Sequence, residues 1–346
     1  MFILSKKYCN DSPPKDKYST LKKKTMNFLK LSILTVLLLV IFNCTKNNDD
    51  NLQTSEICVT KQTLDDSKGV CNVSLSFNSQ FQETKSTTTR TISSNSIPNH
   101  LVGLFGSGPG SLNPNTISEQ SESYTVTLNP TAANTFTPLL STTGKGPNSG
   151  PQYSFGVLIN GIELDPVAAE PFPHEGIMSP NLNWEWNLEA LNVNLGLDCN
   201  SAHVQPTGKY HYHGTPILFL QNLNISTNQM NLIGYAADGF PIYYKYAYTT
   251  AKDSSSTVIE MTSSYQLKSG NRSGDGITAP CDIYNGIYSN DYEFVNGLGT
   301  LDIANGRTGV TPQYPAGTYY YIITDDFPSI PRYFRGTPSN DFKIGG

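Results

Sequence analysis

His211 and His213 stand two residues apart in the run Tyr210-His211-Tyr212-His213. In an extended strand, side chains at i and i+2 share one face about 6.6–7 Å apart along the chain, so both imidazoles project together and both tyrosines project the other way. Two imidazoles at that spacing can converge on one ion with bonds of about 2.0–2.1 Å. His203 precedes the pair by eight residues. Between them Pro206-Thr207-Gly208 is a turn signal, so a hairpin would bring His203 beside the other two. Asp198, His100 and Asp238 are the candidates for a fourth ligand, and spacing alone does not choose among them. An imidazole set favours Zn²⁺ or Cu²⁺ over Ca²⁺ or Mg²⁺. The plainer alternative is a strand with two hydrogen-bonded histidines and a tyrosine ladder, needing no metal.

Two other chemistries compete with simple metal binding. The same three histidines could serve an extracellular hydrolase, with Asp238 or Glu175 as base. The chain has no G-x-S-x-G elbow, no H-E-x-x-H helix and no P-loop, and His174-Glu175 lacks the second histidine of a zincin. A glycan- or partner-binding module is the third reading, through aromatic platforms at Trp184, Trp186, Tyr243, Tyr244, Tyr246 and Tyr248. Alternating tyrosines are also what sheets prefer as packing. Asp302, Asn305, Gly306 and Arg307 read as a polar turn too short for a calcium loop, and Asp325-Asp326 as a strand-end turn.

Strands must hold these residues. Short β-like runs alternate with turn signals: SYTVTLNP, YSFGVLINGIEL, KYHYHGTPILFL, IGYAADGFPIYYKYAY and GTYYYIIT. The spacing of Trp184, Leu188 and Leu191 predicts a helix over 183–194. The fold expected is mainly β: a single compact β-rich domain with at most one or two short helices. An internal echo suggests two related β-lobes. Leu197-Asp198 leads to Pro206-x-Gly208-x-Tyr210-x-Tyr212 and Asp238-x-Phe240-Pro241, while Leu301-Asp302 leads to Pro315-x-Gly317-x-Tyr319-x-Tyr321 and Asp325-x-Phe327-Pro328. Tyr320 and Ile322 stand in the second copy where His211 and His213 stand in the first.

Only 15 % of the 346 residues are charged, against the roughly 25 % usual in soluble domains, while 37 % are hydrophobic, which excludes a disordered chain. The net charge of −5 conceals +6 on residues 1–44 and therefore −11 on 45–346. Nucleic acid is a poor partner for so acidic a chain. The basic end reads as targeting. Residues 31–42 are an uncharged apolar run, too short to span a bilayer but suited to a signal peptide, and Cys44 follows at once. The leader makes Met26 the expected start, with residues 1–25 either a mis-called start or an unusual extension from Met1.

The segment 26–44 resembles a bacterial lipoprotein signal of the Bacteroidetes type. That resemblance implies lipidation at Cys44 and an outer-membrane anchor, with TKNNDDN as an acidic tag for display toward the cell exterior. Asn43 is bulkier than the residue usual before such a cysteine. Residues 45–57 then form a polar tether, 58–80 a small β-hairpin, 81–96 a Ser/Thr-rich linker, and 97–346 the main domain. An oxidising compartment favours disulfides among Cys58, Cys71, Cys199 and Cys281. Three pairings are open; the turn-rich DDSKG between the first two favours Cys58–Cys71, leaving Cys199–Cys281.

The combination of GKYHYHGTP (208–216), the preceding DCNSAHVQPTG, LIGYAADGFPIYY (232–244) and the stretch from LDIANGRTG to YFRGTP (301–338) resembles the YHYH family of exported proteins. IPNHLVGLF (97–105) and FGVLINGIELDP (155–166) fall in the family's order, so the likeness spans roughly 90–340. Ser201-Ala202 and Ile303-Ala304 depart from its pattern, the latter where an acidic residue and a cysteine are usual. The resemblance implies export and a domain boundary but no secure activity.

Overall fold

A computed structural model describes residues 62–143, 149–176 and 182–344, all within one compact unit, Ser55–Gly346. The upstream extension, the leader with Cys44, the tether and Cys58 lie outside the described residues. The domain is mainly β; among the described residues there is one six-residue α-helix, α1 (Ile217–Asn222), and two 3-10 turns.

Three strands open the described chain: β1 (Phe81–Lys85), β2 (Thr89–Ser94) and β3 (Glu122–Thr127), paired antiparallel in that order. The centre is an eight-stranded mixed sheet. Its members are β4 (Gly156–Leu158), β5 (Glu163–Leu164), β6 (Ala202–Val204), β7 (Tyr210–Tyr212), β8 (Asn231–Ala236), β9 (Pro241–Tyr244), β10 (Gly306–Gly309) and β11 (Thr318–Ile323). In space they run β6-β7-β5-β4-β8-β9-β11-β10. Most residues of β4, β5, β7, β8, β9 and β11 are buried, so this part of the sheet is covered on both faces. In β11 the alternation separates two cores. Tyr319, Tyr321 and Ile323 join the large core with Phe155 and Phe334, while Tyr320 and Ile322 join a smaller one with Met230 and Met261.

The strand order is symmetric about its middle, and the hydrogen bonds repeat on both sides. Phe155 and Ile233 accept from Ala237 and Ile159 respectively, and Gly156 and Gly234 lie where a Cβ would meet the facing strand's carbonyl, Tyr235 O or Val157 O, at 2.5 Å. Only glycine lets the two central backbones approach so closely. Each half then adds a parallel strand and an outer antiparallel hairpin: β5 and β6–β7 on one side, β9 and β10–β11 on the other. The expected lobes are therefore two copies of one unit joined in a single sheet.

Equivalent positions make equivalent contacts. Asp198 accepts the Tyr210 hydroxyl at 2.8 Å, and Asp302 accepts that of Tyr319 at 3.0 Å. Ser201 and Asn305 both hold positive φ, at 54° and 50°. One correction follows. Asp238 corresponds to Asn160 and not to Asp325: each opens the turn of its hairpin and bonds the hydroxyl of the second strand tyrosine, Tyr212 or Tyr321.

Several expectations fail. Residues 81–96 are no linker, because Arg90, Ile92 and Ser94 alternate inward on β2 and Arg90 lies 3.4 Å over the Tyr235 ring. Residues 62–80 form no hairpin of their own; Gly69 bridges Asp198 and Val73 bridges Val102. The helix expected over 183–194 is a strand at Asn183–Asn187 followed by turns, since Trp184 and Trp186 alternate with exposed Glu185 at period two.

The disulfide pairing is also different. Gly69 donates to the Leu197 carbonyl, which carries Cys71 alongside Cys199, and those two are bonded with Cα atoms 5.6 Å apart. Cys58–Cys71 and Cys199–Cys281 are both excluded, because one cysteine holds one disulfide. Cys281 is itself disulfide-bonded.

Candidate metal centre

His203, His211 and His213 come together on β6 and the end of β7. His203 and His211 are direct partners across the antiparallel pair, and His213 is fixed by its backbone N–H donating to the Ser201 carbonyl. The three rings form a nearly equilateral triangle, with centroids 4.8, 4.7 and 4.8 Å apart and planes crossing at 62–90°. His211 Nε2 lies 3.0 Å from His213 Nε2, which lies 3.1 Å from His203 Nε2. Ligands on a tetrahedral ion with bonds of about 2.0–2.1 Å stand about 3.3–3.4 Å apart, so these nitrogens sit close to that spacing.

The outer nitrogens fix which way the lone pairs point. His203 Nδ1 lies 2.9 Å from the Leu195 carbonyl, and His211 Nδ1 lies 3.5 Å from that of Lys209. A carbonyl can only accept, so each Nδ1 carries the proton and each Nε2 presents a lone pair inward. One remaining hydrogen on His213 cannot lie along both short contacts. At least one Nε2 pair therefore meets lone pair to lone pair, a repulsion that a cation at the centre removes.

Burial also keeps the rings neutral. It pushes His211 and His213 well below the ordinary imidazole range, with the neighbouring imidazoles adding to the effect. It lowers His203 too, against the opposing pull of the Leu195 carbonyl. His211 and His213 are 2 % and 3 % exposed, while His203 is half-buried and opens the site outward. Neutral buried imidazoles are the form that binds a transition metal.

The remaining candidates lie elsewhere. Among the described residues, the group of His, Cys, Asp and Glu able to share one ion comprises the three histidines alone. His100 packs on the tyrosine face, with Nε2 2.6 Å from the Tyr212 hydroxyl. Asp198 is spent on Gly103 N–H, Asn200 N–H and the Tyr210 hydroxyl. Asp238 accepts from Tyr321, Phe240 and Gly336 in the other half of the sheet. Glu175 is exposed on the loop after Phe172, and His174 packs on Tyr288.

Trp184 and Trp186 are 7 % and 8 % exposed, so they are core and not a platform. Tyr243 is fully buried, and Tyr244, Tyr246 and Tyr248 are half-buried. Asp302, Asn305, Gly306 and Arg307 form the expected turn, with Asp302 accepting from Ala304 and Gly306 N–H. Asp325 pairs with Lys245.

Residues 123–336, more than half of the chain, match the model of the YHYH protein family. The chain belongs to the YHYH family. No curated protein and no solved structure matches it. The tetrapeptide that gives the family its name is β7 with His213, so the YHYH strand supplies two of the three imidazoles on one face and two core tyrosines on the other.

Around the YHYH strand lie residues that sequence reasoning missed. Glu163 is the cross-strand partner of His211 and bonds Lys209 and Ser154. Burial, and then the Glu163 carboxylate, pushes Asp165 up to about 8, which favours its protonated form. The Arg332 guanidinium reaches both Asp165 and His213 electrostatically. Lys209 was legible as the residue two before His211; Glu163 and Arg332 arrive from distant strands and left no local signal.

Proposed function

We propose that this YHYH protein is an exported, lipid-anchored module that binds one Zn²⁺ or Cu²⁺ ion through His203, His211 and His213. The observation carrying the reading is the triangle of inward Nε2 atoms, two contacts of which are 3.0 and 3.1 Å, with rings held neutral by burial. Three protein ligands leave a fourth tetrahedral position for an exogenous group. The hydrolase alternative has less support, since Asp238 and Glu175 stand away from the histidines.

Metal analysis of protein purified without a histidine tag tests the reading, together with melting in added Zn²⁺ or Cu²⁺. One ion per chain and a raised melting temperature, both lost in a His211→Ala, His213→Ala double variant, are expected. No bound metal and unchanged melting would overturn it. The lipid anchor rests on the apolar run 31–42 followed by Cys44. Incorporation of labelled palmitate that survives Cys44→Ser would remove it.

A further inference from the structure

A cleft of about 460 Å³, with none of the three histidines in its lining, lies between the strand Asn183–Asn187 and the segment 327–333. The volume falls in the range of small-molecule sites and suits one or two sugar rings. Tyr265, Tyr292, Phe327 and Tyr333 supply an aromatic wall, in which Tyr292 and Phe327 stack at 4.0 Å and Tyr265 meets Phe327 edge-on at 5.4 Å.

Two polar residues on the lining each keep an atom without a partner. Asn187 is 1 % exposed, and its Oδ1 accepts no hydrogen bond. Arg332 gives Nη2 to both oxygens of Glu189, while its buried Nε and Nη1 have no partner. Buried polar atoms without partners are costly, and both residues line the cleft, so a small rotation of either side chain turns an open acceptor or open donors toward a ligand there.

The charge balance selects its class. Glu189 already neutralises Arg332, and exposed Glu185 adds a second carboxylate at the rim, so an anionic ligand is repelled. A hydroxyl both accepts from a guanidinium and donates to an amide oxygen. A ligand rich in hydroxyls on one side and in C–H groups on the other fits the amide, the guanidinium and the aromatic wall together.

We propose that this cleft binds a neutral carbohydrate. The site uses none of the histidines, so it goes beyond the metal reading and stands or falls apart from it. The test is a neutral-oligosaccharide array, followed by saturation-transfer NMR and calorimetry with methyl glycosides of glucose, galactose, mannose and N-acetylglucosamine. All are run with chelator present, so a failure of metal binding cannot mimic a failure of the cleft.

Binding of at least one neutral sugar is expected, weakened tenfold or more in Asn187→Leu and in Tyr265→Ala, with glucuronides bound more weakly than their neutral counterparts. In case either variant unfolds, shift mapping on the unaltered protein gives a second readout: the Asn187 side-chain amide must move on titration. No binding across the array, a stronger response to glucuronides, or mapping that leaves Asn187 unmoved would each overturn the proposal.

Discussion

His203 and His211 sit directly opposite one another across an antiparallel pair, with ring centroids 4.8 Å apart. In the second half of the sheet, the equivalent pair is Arg307 and Tyr320. There Tyr320 and Ile322 close an apolar core and Arg307 donates to the Tyr248 carbonyl, so one face of the same unit is hydrophobic in one copy and imidazole in the other.

That difference predicts unequal responses to mutation. Replacing His211 or His213 singly by alanine is expected to abolish most of the melting shift in Zn²⁺, which at an ion concentration of 100 Kd corresponds to about 2.7 kcal/mol. Ile322→Ala, at the position equivalent to His213, is expected to destabilise the fold by about 2–5 kcal/mol with or without metal. Calorimetry of the three variants distinguishes the two outcomes, and equal metal responses in all of them would contradict the assignment.

The pH dependence has a sign set by burial. Asp238 is fully buried and its carboxyl is pushed up to about 6 by desolvation, against the hydrogen bonds from Tyr321 and Gly336. Its folded value lies above the unfolded one, so its contribution is full below about 3.8 and is lost as pH rises through about 6, by about 3 kcal/mol in all. The buried histidines act the other way, because their folded values lie below the unfolded one and their contribution is lost as pH falls below about 6.5. Carboxyl ¹³C NMR of Asp238 should show a midpoint near 6; an ordinary value near 4 would refute the burial argument.

Arg272 and Asp291 form an ion pair with both side chains fully buried, at 2.7 and 2.6 Å. Arg272→Ala leaves the carboxylate unpaired in the interior and is expected to cost about 3–5 kcal/mol in chemical denaturation. A loss below about 1 kcal/mol would mean that water reaches the pair.

Cys71–Cys199 anchors residues 69–73 to the turn that leads into His203. Peptide mapping without reduction should recover a Cys71–Cys199 cross-link. A Cys71→Ser variant is expected to lose about 2–5 kcal/mol of stability, and its metal affinity should fall because the Asp198–Ala202 turn holding β6 is no longer tethered.

Trp186 packs with Phe172, Leu188, Val193, Ile287 and Tyr288. Trp186→Ala should therefore act as a core deletion costing about 3–5 kcal/mol. A stable variant with altered ligand binding alone would show that the ring faces solvent.

The sequence by itself determined what period and residue type encode: a mainly β chain, histidines on one face of a short strand and tyrosines on the other, a third histidine delivered by Pro206-Thr207-Gly208, and half of the internal echo. Those signals are local, because a strand's alternation and a turn's geometry are fixed within a few residues. Tertiary structure decided the rest. It paired Asp238 with Asn160, sent Cys71 to Cys199, buried Trp184 and Trp186, turned a Ser/Thr-rich stretch into strands, and brought Glu163 and Arg332 to the histidines. Each of these depends on which distant backbones lie side by side in the sheet, and that register is set by packing across the whole core, which no short window of residues carries.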